Sequence, residues 1–298
     1  MFTLITWNIQ SGRSPDGRPD LGRVVGCLDR FARHDVVCLQ EVASGFDRGG
    51  EDQFAALRAR MPGHAAVAAV ACDLGADPAD PGAADGPRRR IGSMILSRHP
   101  VLQVLRHSLP WPADPAVPSM PRTALEVTLA TPGGLLRIVN AHLEYFSYQQ
   151  RLAQVERLRE LQREGRAHAM RPRAVGSGPF APVPRAAPAL LAGDFNMLPG
   201  SPEHQRLLAP FGDDTPPWRD CWHVVQPGRR HAPPVGHSAH CAPSGGVLTR
   251  HRSVLLCTTQ PSTPYICCAV SAPLRASSPI IRCKGSTHSG KAAASAGQ

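Results

Sequence analysis

The chain has no lysine before Lys284; every basic residue ahead of that position is arginine or histidine. Chemistry that needs a lysine amine, such as Schiff-base formation, is therefore excluded from most of the 298 residues. Aromatic residues are scarce at 5%, while 31 Pro and 27 Gly predict long loops between modest elements. No apolar run approaches the length of a membrane span. The start, Met1 to Trp7, lacks the basic segment of a secretory signal, so a cytoplasmic location is expected. The nine cysteines contain no C-x-x-C pair and their number is odd, which argues against a zinc site or a disulfide framework.

Acidic residues are missing from one region. Residues 238–298 hold six Lys or Arg and no Asp or Glu, so the net charge of +10 is largely a property of that tail. Residues 1–237 carry 27 basic and 23 acidic side chains. A nucleic-acid partner is allowed by this balance but not indicated by it. A hydrophobic fraction of 42% is enough for a sizeable core.

What is present is an alternation of strand and helix signals. Phe2–Ile9 reads as a strand ending in the polar turn Gln10-Ser11-Gly12. Leu21, Val24, Val25, Leu28 and Phe31 form a helical stripe across residues 20–33. Asp35–Val42 reads as a buried strand, and residues 51–61 as a short helix with Phe54, Leu57 and Met61 inward. Residues 73–90 are rich in Asp, Pro, Gly and Ala and predict a surface loop. Ile91–Ser97 is a strand, and residues 109–121, with five prolines, an extended connection. Arg122–Leu129 and Leu135–Leu143 form a hairpin turned by Thr131-Pro132-Gly133-Gly134. Leu152, Val155, Leu158 and Leu161 mark a helix from Ser147 to about Arg163, followed by a loop over 165–188.

The chain then reaches Ala189-Leu190-Leu191, a buried strand, and Gly193-Asp194-Phe195-Asn196. Two positions apart on a strand, Asp194 and Asn196 share a face. Asp and Asn are equally at home in surface turns, and Asn8, Glu41 and His142 have similarly ordinary readings taken singly. Together they have one placement: Asn8, Glu41, His142, Asp194 and Asn196 all fall at or near the C-terminal ends of expected strands. One packed sheet assembly brings such ends into one cleft. Two carboxylates, two amides and an imidazole there suit a hard divalent cation and phosphoryl chemistry.

Thr6-Trp7-Asn8-Ile9, Leu39-Gln40-Glu41, Asn140-Ala141-His142-Leu143-Glu144 and Gly193-Asp194-Phe195-Asn196, in this order, resemble the endonuclease/exonuclease/phosphatase (DNase I-like) superfamily. The resemblance spans residues 1–237. It implies an α/β fold, a four-layer α/β/β/α sandwich of two packed mixed β-sheets flanked by helices. It also implies Mg²⁺ or Mn²⁺ and a phosphodiester substrate. Glu41 and Asn8 would serve the metal, Asp194 would activate water, and Asn196 and His142 would donate to phosphate oxygens. Abasic-site endonucleases carry a lysine shortly after Gln-Glu; Val42 and Ala43 stand here, which argues against that branch. The residues do not separate nucleases from lipid or small-molecule phosphodiesterases, nor do they give an oligomeric state.

The family closes with a strand carrying Arg-Ile-Asp and then Ser-Asp-His. In this chain acidic residues vanish after 237 and Cys241, Cys257, Cys267, Cys268 and Cys283 appear instead. The expectation is a shifted reading frame near residue 238 or, alternatively, a divergent basic Ser/Pro/Cys tail without stable order. Losing the family's last strands would leave a sheet edge unpaired. The function expected is that of a metal-dependent phosphodiesterase or nuclease; the alternative is a catalytically impaired family member, retaining at most metal or phosphate binding.

Overall fold

The computed structural model describes residues 2–13, 17–30, 34–47, 50–77, 86–225, 228 and 253–257. Among these residues ten strands form two sheets. The first has β1 (Leu4–Asn8), β2 (Val36–Ser44), β3 (Ala65–Leu74) and β4 (Arg89–Ser97), in the order β1-β2-β4-β3. The second has β5 (Val101–Ser108), β6 (Thr123–Thr131), β7 (Gly134–His142), β8 (Ala189–Asp194), β9 (Arg219–Asp220) and β10 (Ser253–Cys257), in the order β5-β6-β7-β8-β10-β9. Both are mixed, with β1–β2 and β7–β8 parallel and the other pairs antiparallel.

The strands read as continuous apolar runs because both of their faces are buried. In β2, Val36 and Cys38 face the second sheet and join Leu4, Ile95, Leu125, Val127, Ile138 and Leu190 in the central core. Their neighbours Val37 and Leu39 face outward onto α1 (Leu21–Arg30) and α2 (Gln53–Arg60), meeting Leu21, Val24, Leu28 and Leu57. On the opposite side α3 (Tyr148–Met170) lays Val155, Leu158 and Leu161 over Val139, Ala141 and Leu191. The result is the four-layer α/β/β/α sandwich that the family resemblance implied.

Several elements differ from the sequence expectation. The strand β3 is made largely of alanine, which has little strand preference of its own; its pairing along β4 overrides propensity. The strand β5 and the helix α4 (Pro202–Leu208) also lacked a sequence signal strong enough to read. The helix α3 runs seven residues beyond Arg163, through a segment expected to be loop. Its start is capped by Ser147, whose hydroxyl accepts from the Gln150 N–H. The start of the expected 73–90 loop is the end of β3 and its last two residues belong to β4; residues 78–85 lie outside the described residues.

The tail expected to be unlike the family, 238–298, lies outside the described residues except for β10. That strand pairs antiparallel with β8, Ser253 opposite Asp194, so the edge expected to stay open beside β8 is covered. No described helix is long and apolar enough to cross a membrane.

A pair of histidines sits where β2 and β3 begin. The imidazoles of His34 and His64 stack with centroids 5.1 Å apart and planes 11° from parallel. Burial, then the Arg98 charge and His34, hold His64 down at about 4, against an ordinary value of 6.5. An imidazole harder to protonate folded than unfolded contributes stability that is complete above pH 6.5 and lost as pH falls toward 4. We expect the melting temperature to fall across that interval, and to fall less in His64→Gln. Parallel slopes in thermal melts of the two proteins would remove His64 from the acid response.

Candidate active site

The five residues singled out from the sequence meet at one end of the sandwich. Asn8 is the last residue of β1, His142 of β7 and Asp194 of β8. The amide Nδ2 of Asn8 donates to Glu41 Oε1 at 2.8 Å and to Asp194 Oδ2 at 3.0 Å, so one nitrogen joins carboxylates from the two sheets. The Asn8 Oδ1 accepts from the Gln10 N–H at 3.0 Å, which fixes the amide's orientation. His142 Nε2 lies 3.9 Å from Glu41 Oε1 and 3.2 Å from Asn196 Nδ2. Asp194 is fully buried, and Asn8 and His142 nearly so.

Glu41 was expected near the end of a strand closing at Val42; β2 continues to Ser44. The register of β2 on β4 slips between Gln40 and Val42, which makes Glu41 the extra residue of a bulge, with φ of 55°. A bulge breaks the ladder and re-aims one side chain, and here it turns a carboxylate into the cleft from a strand otherwise buried on both faces. Asn196 also arrives by another route than the shared strand face. The strand β8 stops at Asp194, and Asn196 adopts φ of 48° beyond it. Its N–H donates to Asp194 Oδ1 at 3.2 Å and its side chain to the Leu143 carbonyl at 2.9 Å, while Phe195 between them is buried in the α3 core. The non-glycine residues with positive φ among the described residues are Gln10, Ser11, Glu41 and Asn196. All sit in the site or on the turn that follows Asn8, where such strain characteristically gathers.

A buried amide pair sets the spacing between the sheets. Gln40 Nε2 donates to Asn140 Oδ1 at 2.8 Å, and to Thr6 Oγ1 and the Cys38 carbonyl. Asn140 Nδ2 donates to the Leu39 and Met94 carbonyls, both at 3.0 Å. Gln40 precedes Glu41 and Asn140 stands two before His142, so this link between β2 and β7 positions both site residues. Each amide is completely buried, where a lost partner costs about 1–3 kcal/mol.

Sequence reasoning gave no role to Arg122 or Glu144. Arg122 Nη1 lies 3.2 Å from His142 Nδ1 and its Nε donates to Glu144 Oε2 at 3.3 Å, all three side chains being buried. Glu144 Oε1 accepts from the Phe146 N–H at 2.9 Å, and its own N–H donates to Gln154. The available signal was the arginine standing between Pro121 and the alternating strand β6. The cleft beside His142 is lined by Glu41, Ser93, Met120, Arg122 and Thr123.

The donor set fits a hard divalent cation. Two carboxylates are brought to one point, and like charges so placed repel unless a cation lies between or beside them. Asn8 donates its amide hydrogens to both, so in this arrangement it holds the carboxylates together rather than offering its oxygen. Among the described residues no cluster of three or more His, Cys, Asp or Glu is positioned around a metal. A cation here would take Glu41 and Asp194 oxygens, with water completing its shell.

The family model described as "Endonuclease/Exonuclease/phosphatase family" matches residues 5–245, and the chain belongs to that family. Solved structures agree on the fold. An endonuclease/exonuclease/phosphatase from Beutenbergia cavernae DSM 12333 is similar at 23% identity and a TM-score of 0.54, over 85% of this chain and 63% of that one. The chain thus spans less than two thirds of that relative's length. A Bacteroides thetaiotaomicron family protein is similar at 13% identity and a TM-score of 0.54, over 94% and 91% of the two chains. D. rerio TDP2, solved with a single-strand DNA product, is similar at 16% identity and a TM-score of 0.51, over 89% and 86%. Comparison with curated proteins gives no match.

Proposed function

We propose that the chain hydrolyses phosphodiester bonds with the help of Mg²⁺ or Mn²⁺ held at Glu41 and Asp194. The observation that carries this reading is the convergence of those two carboxylates, one from each sheet, on the single amide of Asn8. When bound, the cation neutralises phosphate charge and stabilises the charge that builds up during transfer. Asp194, with one oxygen held by Asn8 and the other by the Asn196 N–H, is oriented to take a proton from the attacking water. His142 and the Asn196 amide stand side by side to donate to phosphoryl oxygens as the bond from water to phosphorus forms and the bond to the leaving oxygen breaks. A DNA-containing structure of TDP2 makes a nucleic-acid substrate a natural first trial.

One observation favours a second reading. The family's terminal Asp-His pair has no counterpart in the composition of residues 238–298, which lie almost wholly outside the described residues and contain no carboxylate side chain. We propose that this tail contributes β10 to the sheet but no carboxylate to orient a histidine acid, so that protonation of the leaving group is weakened. Leaving groups that depart as stable anions need no acid. The full chain should therefore cleave bis(p-nitrophenyl) phosphate in the presence of Mg²⁺ or Mn²⁺ and lose that activity in EDTA. Turnover of an unactivated dinucleotide should be about 10²–10⁴-fold slower than in a relative with an intact acid, the usual worth of such a group. Equal turnover in EDTA would remove the metal from the reading; fast cleavage of the unactivated diester would remove the impairment.

A further inference from the structure

We infer that Arg122 is a positioning residue that fixes His142 in one tautomer, with its Nε2–H turned toward the cleft. The inference rests on the phosphodiesterase reading for its functional meaning but on geometry for its substance. A guanidinium is a donor only and does not give up its proton in a protein. With Arg122 Nη1 at 3.2 Å, His142 Nδ1 must therefore be the acceptor, and the ring's proton belongs on Nε2. Both side chains are buried, at 7% and 8% exposure, so water does not compete for that contact.

The second contact on the same fork explains why Arg122 stays in place. Its Nε donates to Glu144 Oε2, and Glu144 is itself held by the Phe146 N–H and by the Gln154 side chain's grip on its backbone. Glu144 is fully buried and compensates the Arg122 charge, so the cation orients the imidazole while remaining paired. The assembly runs from α3 through Glu144 and Arg122 to His142.

This assignment gives the Asn196 contact a defined meaning. Of its two Nδ2 hydrogens one goes to the Leu143 carbonyl at 2.9 Å; the other, 3.2 Å from His142 Nε2, meets the Nε2–H that Arg122 imposes, and the two donors are relieved when an acceptor lies between them. Two adjacent donors at a cleft mouth are what an anionic phosphoryl oxygen requires. In the other tautomer Nε2 would present a lone pair to that oxygen and repel it.

The test is long-range ¹H–¹⁵N NMR of the imidazoles in the full chain, together with turnover of bis(p-nitrophenyl) phosphate. Wild type should show His142 as the Nε2–H form alone. Arg122→Met should give mixed tautomers and lose about 10–100-fold in kcat with little change in KM, the scale usual for a group that orients a site residue. Because Arg122→Met strands the Glu144 carboxylate, Arg122→Met/Glu144→Gln is made as well; it removes both charges and should behave the same way. Arg122→Lys keeps the charge near Glu144 but lacks the planar fork, and should also show mixed tautomers. In a His142→Ala background Arg122→Met should cost little more. An unchanged His142 spectrum in the Arg122 variants, or an equal loss of turnover without His142, would overturn the inference. If the wild type turns over nothing, the functional reading falls while the spectrum still decides the role of Arg122.

Discussion

Asp194→Asn is expected to lower the turnover of an activated phosphodiester by about 10²–10⁴-fold, the range for loss of a positioned proton acceptor. The substitution keeps the size of the side chain, so the effect reads chemistry more than packing. It also alters the local hydrogen bonding in a defined way. Asp194 accepts from Asn8 Nδ2 with one oxygen and from the Asn196 N–H with the other. An amide can keep only one of those contacts, because its nitrogen faces a donor at the second. The Asn196 turn is therefore expected to loosen, and some of the loss should appear as weaker substrate binding. Asp194→Ala, which removes both acceptors, should be at least as impaired. Steady-state kinetics at saturating Mg²⁺, with melting temperatures as a control for folding, measure this. Turnover within threefold of wild type in both variants would exclude Asp194 from proton transfer.

Gly193→Ala should produce a large loss of stability for a single added methyl group. Gly193 has φ of 150°, and a Cβ built there would lie 1.8 Å from the Ala141 carbonyl oxygen on the neighbouring parallel strand β7. Neither side can yield cheaply. Ala141 and Ala192 are fully buried, and Ala141 is paired in register with Gly193 itself. Strain of this kind together with the displaced backbone costs on the order of 3–5 kcal/mol, enough to consume much of a typical domain's stability. Because Gly193 adjoins Asp194, any folded fraction should also be poorly active. The midpoint of urea unfolding measures the first effect. A shift worth less than about 1 kcal/mol would mean that β7 and β8 can separate at this point, against the close packing of such interiors.

The central strands were legible because they are buried on both faces and therefore read as unbroken apolar runs; their stacking into a sandwich came from the family resemblance. Where a strand is built from alanine, as in β3, or is half exposed, as in β5, the run disappears and only pairing with a neighbour reveals it. Among the site residues, Asn8, His142 and Asp194 stand where strand ends put them. Glu41 and Asn196 reach the same cleft through a bulge and a left-handed turn; Asn tolerates such a turn, but a glutamate gives no sign of a bulge. The pairing of Gln40 with Asn140 could not be read at all. It joins residues 100 positions apart, and each amide has an ordinary place in a strand when considered alone. Arg122 was overlooked for a related reason: a charged residue at the start of a strand is usually solvated, and only the fold shows it buried between His142 and Glu144.

The central claim is that Glu41 and Asp194 jointly hold a divalent cation beside the phosphate-binding donors. Anomalous diffraction from crystals of the full chain soaked in Mn²⁺ tests it most directly. A single strong peak at bonding distance from Glu41, next to Asp194 and Asn8, and lost in Glu41→Gln, is the expected result. Manganese bound elsewhere with this cleft empty, or a peak indifferent to the loss of the Glu41 charge, would contradict the account.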